Sequence, residues 1–243
     1  MAAALALAVA SGCGGGDDAA RPVASATPAP TAAPAATPAP PAAPAAKRVR
    51  FPASDGQRVA GRYTPAGRDA PGVVLLHQID GGPGQWDPLI PYLHEAGFAT
   101  LAYQSRRSAL EHERLPDAIG ALRWLRARRD VDPERLALMG ASIGASTAVL
   151  AMATEARRTV DAAVSLSAVD SSDLWALQDD GRYRPHDVLF VSDEREAAAS
   201  EGLMDGAVRS KRMQSAQPGH GVALLPEAGV RDALLAWLRD RVR

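Results

Sequence analysis

The stretch LALMGASIGAS, residues 136–146, decides how this chain is read. The apolar run Leu136–Met139 leads into Gly140-Ala141-Ser142-Ile143-Gly144, and small residues able to continue as a helix follow. A serine between two such glycines admits two readings. Ser142 either caps a helix and does nothing else, or stands as a nucleophile on a tight strand-to-helix turn. A plain cap needs no glycine on both sides. In a tight turn, a side chain at either glycine position would collide with the neighbouring strand or helix. Such a turn lifts the hydroxyl above the C-terminal edge of a sheet, where open α/β sheets bind ligands. It also seats the hydroxyl at a helix N-terminus, whose free N–H groups stabilise a developing oxyanion.

Outward from this turn, the same kind of apolar run recurs. Val73–Leu76, Leu136–Met139, Ala162–Leu166 and Val188–Val191 are continuous rather than alternating, as expected for strands buried on both faces of a parallel sheet. Arg58–Thr64 and Ala99–Tyr103 are two further candidates, and Lys211–Gln217 reads as a last strand. Helical patterns lie between them. Residues 116–129, PDAIGALRWLRARR, set Ala118, Ile119, Leu122 and Leu125 on one stripe, with Pro116 and Asp117 suited to the first turn. Near the C-terminus Val230, Leu234, Trp237 and Leu238 share one face. Strand and helix in alternation predict an α/β domain over 47–243, with helices on both faces of a mostly parallel sheet.

A serine hydroxyl needs a base to take its proton, and the base needs an acid to hold it in one tautomer. VDPERLALMGASIGAS (131–146) and GVVLLHQIDGGPGQWDPLIPYLHEAGFATLAY (72–103) resemble the nucleophile-elbow and oxyanion-strand regions of the α/β-hydrolase superfamily, particularly its small dienelactone-hydrolase-like members. Ala145 stands where many relatives have a third glycine. The resemblance implies the α/β-hydrolase fold with a minimal lid or none, and the chain order serine, acid, histidine. Of five histidines only His186 and His220 follow Ser142. His186 opens a strand, on the wrong edge of the sheet, whereas His220 sits between glycines in QPGHGVALL, before the last helix. The acid lies in Ser192-Asp193-Glu194-Arg195-Glu196: relatives place theirs at the spacing of Glu196, while Asp193 is nearer the strand end and is the alternative. The oxyanion donors implied are the N–H groups of Ile143 and Ile79, with Gln78 as the alternative to Ile79. His77 is expected to hydrogen-bond within its loop rather than bind a metal. Trp86, Trp124, Trp175 and Tyr183 are candidates for a pocket or for plain packing, and Arg106 and Arg107 for acidic substrates or a solvated pair. Residues 170–186 are too short to roof the site, so an open, shallow one is expected.

Composition narrows the rest. With 27 Lys+Arg against 28 Asp+Glu, the net charge of −1 gives no reason to expect a nucleic-acid partner, and 5% aromatics make a stacking platform implausible. The one cysteine, Cys13, leaves no internal disulfide and no cysteine-based zinc site. Neither phosphate-binding glycine motif is present, and the implied chemistry needs no cofactor and no metal. AAALALAVA followed by Ala10-Ser11-Gly12-Cys13 resembles a bacterial lipobox, which makes 1–13 a signal segment and Cys13 a lipidation site. Residues 14–46 are rich in Ala, Pro and Thr and read as a disordered linker. Roughly 26 such residues reach about 80 Å as polyproline II. The expectation is a lipid-anchored protein of the bacterial cell envelope, secreted or periplasmic if Cys13 is not acylated. Its domain would act on a small ester, lactone or thioester through an acyl-enzyme on Ser142. The alternatives are a non-catalytic envelope binding protein on the same scaffold, or an acyltransferase or peptidase with the same triad.

Overall fold

Apolar runs too long to alternate must be covered on both sides, and this requirement organises the sheet. The structure, a computed structural model, describes residue 42 and residues 45–243. The signal segment at 1–13, and the linker at 14–46 apart from residues 42, 45 and 46, lie outside the described residues. Eight strands are described: β1 (Lys47–Pro52), β2 (Arg58–Thr64), β3 (Ala70–Leu76), β4 (Ala99–Tyr103), β5 (Val131–Ala141), β6 (Ala162–Leu166), β7 (Val188–Ser192) and β8 (Lys211–Gln214). They form one sheet in the order β1-β2-β4-β3-β5-β6-β7-β8. From β4 to β8 neighbours run parallel, while β1 and β2 form an antiparallel hairpin at one edge.

Successive side chains of a strand point to opposite faces, so each buried run feeds two cores. Val73, Leu75, Met139 and Val164 pack beneath α1 (Ile90–Glu95) and α6 (Ala228–Arg241). Val74, Leu76, Leu138 and Phe190 face α2 (Glu111–Arg126), α3 (Ile143–Ala153), α4 (Ser172–Asp179) and α5 (Ala197–Met204). In α6 the expected stripe of Val230, Leu234, Trp237 and Leu238 is buried.

Three expectations shift. The helix expected to begin at Pro116 begins at Glu111, with Pro116 inside it. A proline there removes one i to i−4 hydrogen bond, but the preceding turn is held by the buried charged side chains Glu111 and Arg114 rather than by apolar ones. The Pro116 carbonyl accepts from the Ser54 N–H at 2.9 Å. No hydrophobic stripe could have marked that turn. β1 was not expected, because KRVRFP alternates in the manner of a half-buried edge strand. The last strand stops at Gln214, since Ser215 and Gln217 turn their polar groups to Glu227.

The chain leaves β3 towards β4 by way of α1 on one face, and leaves β5 by way of α3 on the other. Adjacent strands whose connections depart to opposite faces open a crevice at their C-terminal ends. The two loops bordering it begin at His77 and at Ser142.

Candidate active site

Ser142 has φ 55° and ψ −126°, a conformation costing a non-glycine residue about 1–3 kcal/mol. Its neighbours impose it. A Cβ on Gly140 would lie 2.1 Å from the Gly144 carbonyl oxygen, and one on Gly144 would lie 2.4 Å from the Leu76 carbonyl oxygen. Both obstacles are backbone and cannot swing aside. The Ser142 N–H donates to the Leu166 carbonyl at 2.9 Å, and its own carbonyl accepts from Ala145 and Ser146. The side chain makes no capping hydrogen bond to α3, although Ser142 occupies the N-cap position. That disposes of the helix-cap reading: the backbone is strained, and among the described residues the hydroxyl has no hydrogen-bond partner.

His220 is described in the loop between β8 and α6, its side chain 40% exposed. Its Nδ1 lies 2.5 Å from Oε1 of Glu196. A carboxylate oxygen only accepts, so Nδ1 carries the proton and Nε2 presents its lone pair. Oε2 of Glu196 is buried without a partner among the described residues, which leaves that carboxylate engaged by the imidazole alone. Asp193 does not meet the imidazole. It accepts from the N–H groups of Arg195 at 3.0 Å, Glu196 at 3.2 Å and Gly219 at 3.1 Å. The Arg195 guanidinium beside it holds its carboxyl below the usual carboxylate range. Asp193 therefore shapes the turn carrying Glu196 and ties it to the residue before His220.

Two further side chains fasten the histidine loop. Glu227 accepts from Ser215 Oγ at 2.5 Å and from the Ala216 and Gln217 N–H groups. From the other side Gln78 Oε1 accepts from the Val222 N–H at 2.9 Å. Gly221, at φ 58°, packs closely enough that a Cβ would lie 2.5 Å from Gln78 Oε1 and 3.3 Å from the Ala141 Cβ. Gly221 thus brings the histidine loop against Ala141, the residue preceding Ser142, yet among the described residues no hydrogen bond joins His220 to the Ser142 hydroxyl. Catalytic hydrogen bonds are commonly long before substrate is bound.

The loop after β3 is set by His77, which is buried. Its Nε2 accepts from the Ser105 N–H at 3.0 Å, so Nδ1 bears the proton and donates to the Gln78 carbonyl at 2.5 Å. Arg114, itself buried, donates to the His77 carbonyl at 3.1 Å and to Ser105 Oγ at 2.9 Å. Burial first, and then the Arg114 charge, lower the His77 pKa from 6.5 and hold the ring neutral. Burial also pushes the nearby Glu111 carboxyl upward. The Gln78 N–H is taken by Gln85 Oε1 at 3.2 Å, whereas those of Ile79 and Ile143 have no acceptor among the described residues. A cavity of about 300 Å³ opens beside Ile79, bordered by Gly81, Gln104 and Arg107.

The remaining candidates fall away from this centre. His186 bonds to Asp187 and to the Arg157 carbonyl at the start of β7, the opposite end of the sheet. Trp86 is core, Trp124 packs on Phe51 and Tyr63, and the Tyr183 hydroxyl donates to the Leu203 carbonyl. Trp175 borders a separate cavity with Tyr183. Arg106 is no solvated partner of Arg107, because it is held by Asp117 and Asp55. The long amide of Gln78, next to His77, is a local sign of its contact with Val222. The roles of Arg114, Ser105 and Glu227 left no local mark.

Comparison with known proteins bears on the fold. Residues 102–200 match the prolyl oligopeptidase family. The esterase Pf2001 of Pyrococcus furiosus superposes with a TM-score of 0.65 at 14% identity, over 82% of this chain and 92% of that one. This is the α/β-hydrolase fold. The dienelactone hydrolase of Anabaena variabilis shares it, with a TM-score of 0.61 at 18% identity over 82% of this chain and 99% of that one. An uncharacterized protein of Mycobacterium tuberculosis, Rv2307c, is 33% identical over 103 residues, 39% of this chain. The chain spans 37% of the length of that relative. The loops after β3, β5 and β7 carry Ile79, Ser142 and Glu196.

Proposed function

We propose that this protein is a serine hydrolase that cleaves carboxylic esters, lactones and thioesters included, through an acyl-enzyme on Ser142. The observations that carry the reading are a strained, uncapped Ser142, and a His220 whose Nδ1 is held by Glu196 in a loop that packs against Ala141. Ser142 Oγ attacks the carbonyl carbon while His220 Nε2 takes the hydroxyl proton. The N–H groups of Ile79 and Ile143 receive the developing oxyanion. On collapse, His220 returns the proton to the departing alkoxide, and the acyl group remains on Ser142. Water then repeats the sequence, with His220 as base, and frees the acid. Glu196 keeps His220 in the tautomer that leaves Nε2 as acceptor.

Labelling with a fluorophosphonate probe tests this directly. The parent is expected to label, and Ser142→Ala and His220→Ala are expected not to. A folded parent that stays unlabelled would sink the reading and favour a non-catalytic binding protein. The match to the prolyl oligopeptidase family supports a second reading, a peptidase with the same triad. Turnover of a p-nitroanilide at a rate comparable with the matching p-nitrophenyl ester would favour the peptidase.

The chemistry is placed at the bacterial cell envelope through an acyl group on Cys13. Incorporation of an alkynyl fatty acid by the parent but not by Cys13→Ser would support this anchor, and equal incorporation by both would refute it.

A further inference from the structure

We infer that the face of the β1–β2 hairpin bearing Arg48, Arg50, Arg58 and Arg62 docks on a bilayer rich in anionic phospholipid. In the hairpin register Arg48 stands opposite Arg62, Arg50 opposite Ala60, and Pro52 opposite Arg58. Directly opposed residues share a face, so all four arginines project from the same side. Arg48, Arg50 and Arg58 are exposed and make no ion pair among the described residues; Arg62 reaches Asp87 at 2.9 Å. The other side of the hairpin carries Phe51, Val59 and Tyr63 into the core.

Nothing in the fold requires this arrangement. Like charges directly opposed across strands oppose pairing. No residue of β1 or β2 joins the core formed with α1 and α6 on the arginine side, so that stretch of sheet stays uncovered. The charge is local, in a chain of net charge −1. Guanidinium groups bind phosphate oxygens in a two-pronged geometry, which suits a plane of phosphodiester headgroups. The hairpin also begins where residues 14–46 end, so an anchor at Cys13 would deliver it to such a surface. Finally, Arg48, Arg50 and Arg62 border a groove of about 490 Å³ with Pro83 and Gln104. Gln104 also borders the cavity beside Ile79. A bilayer on this face therefore lies next to the mouth of the site.

The test uses the full chain carrying Cys13→Ser and Ser142→Ala, so that neither acylation nor turnover contributes. Its outcome is thereby independent of the hydrolase reading. Cosedimentation is measured with vesicles of phosphatidylcholine alone and with roughly one third phosphatidylglycerol. Binding to the anionic vesicles is expected to be at least about tenfold stronger, and to disappear near 0.5 M salt. Adding Arg48→Gln, Arg50→Gln and Arg58→Gln is expected to cost about tenfold or more in partitioning without lowering Tm. Replacing the exposed Arg157, Arg158 and Arg239 by Gln is expected to change nothing. Equal binding to both vesicle types, or equal losses from the two triple variants, would overturn the inference. So would displacement by inorganic phosphate beyond that by chloride at matched ionic strength, which would mean a discrete phosphate site. Capture by soluble heparin without vesicle binding would mean a polysaccharide partner instead.

Discussion

Around Ser142 the constraints are backbone contacts: Gly140 abuts Gly144, Gly144 abuts the end of β3, and β5 and α3 adjoin the serine in sequence. Around His220 the constraints are mostly side-chain hydrogen bonds, several of them from distant elements. The loop is tied by Asp193 from the end of β7, by Glu227 from the start of α6, and by Gln78 from the end of β3, 144 residues from Val222. The serine turn is enforced by hard-sphere contact with backbone, the histidine loop by hydrogen bonds to flexible side chains. Steric exclusion permits one geometry, whereas polar ties can be loosened one at a time. The serine turn should therefore fail by unfolding, and the histidine loop by losing rate in a protein that remains folded.

The largest effect is expected on the histidine side, at its acid. Glu196→Gln leaves the ring without a carboxylate to select its tautomer, and activity should fall by about 10³–10⁴-fold with Tm little changed. Asp193→Asn keeps one acceptor oxygen, for either the Gly219 N–H or the Arg195 and Glu196 N–H groups, and leaves the Glu196 carboxylate in place, so its activity should stay within about tenfold of the parent. Ester turnover and Tm, measured on both, decide between them. If Asp193→Asn were the more damaging, the comparison would have the wrong acid at its centre.

Next comes a pair of glycines. Gly144→Ala drives a methyl group into the Leu76 and His77 carbonyls, and overpacking against backbone should cost about 3 kcal/mol in denaturant unfolding. Gly221→Ala meets the movable end of Gln78 and a left-handed backbone, and should cost about 1–2 kcal/mol. Its activity should nevertheless fall further than that stability loss would suggest. Equal losses of stability would show that the histidine loop belongs to the rigid frame after all.

Gln78 itself offers a finer cut. Gln78→Met keeps the bulk and removes the acceptor for the Val222 N–H, which should lower kcat by about tenfold with KM held, for about 1 kcal/mol of stability. Gln78→Glu keeps an acceptor oxygen and should recover most of kcat. A general packing role would leave Gln78→Met the better of the two.

This contrast also explains what could be read in advance. The parallel sheet, the turn at Ser142 and the stripe on α6 rest on apolar runs, glycines and helical periodicity, all of which are visible within a dozen residues. Arg58–Thr64 and Ala99–Tyr103 were readable as strands to the residue. The start of α2 was not, because Glu111 and Arg114 are buried by partners in other elements, Ser105 and His77 for Arg114. Nor could the order of residues choose between Asp193 and Glu196, three positions apart in one turn, since the choice lies in where His220 returns. Long-range polar ties have no sequence period, and the loop that carries the histidine is made of little else.

The smallest effect expected is one of pH, and it tests the third loop of the site. The folded state holds His77 below its ordinary pKa of 6.5, so its contribution to stability is complete above pH 6.5 and declines as pH falls below it. Glu111 acts in the opposite sense. Burial raises its carboxyl above 4.5, so folding takes up its proton more readily and gains stability as pH falls towards that value. The lowered carboxyls of Asp55, Asp130, Asp187, Asp193 and Glu227 lose their stabilising effect only below their ordinary values of 3.8 and 4.5. As pH falls from 6.5 towards 4.5, then, His77 and Glu111 act in opposite senses. Tm should fall slightly over that interval in the parent and more steeply in Glu111→Gln, where the raised Glu111 carboxyl no longer opposes His77 and the raised Asp161 carboxyl is unchanged. In His77→Asn, less stable at pH 8, the fall should vanish or reverse. A parent and a Glu111→Gln variant with parallel profiles would mean that the acid end of α2 does not bear on the loop carrying Ile79. The frame of the oxyanion side would then be as local as that of Ser142.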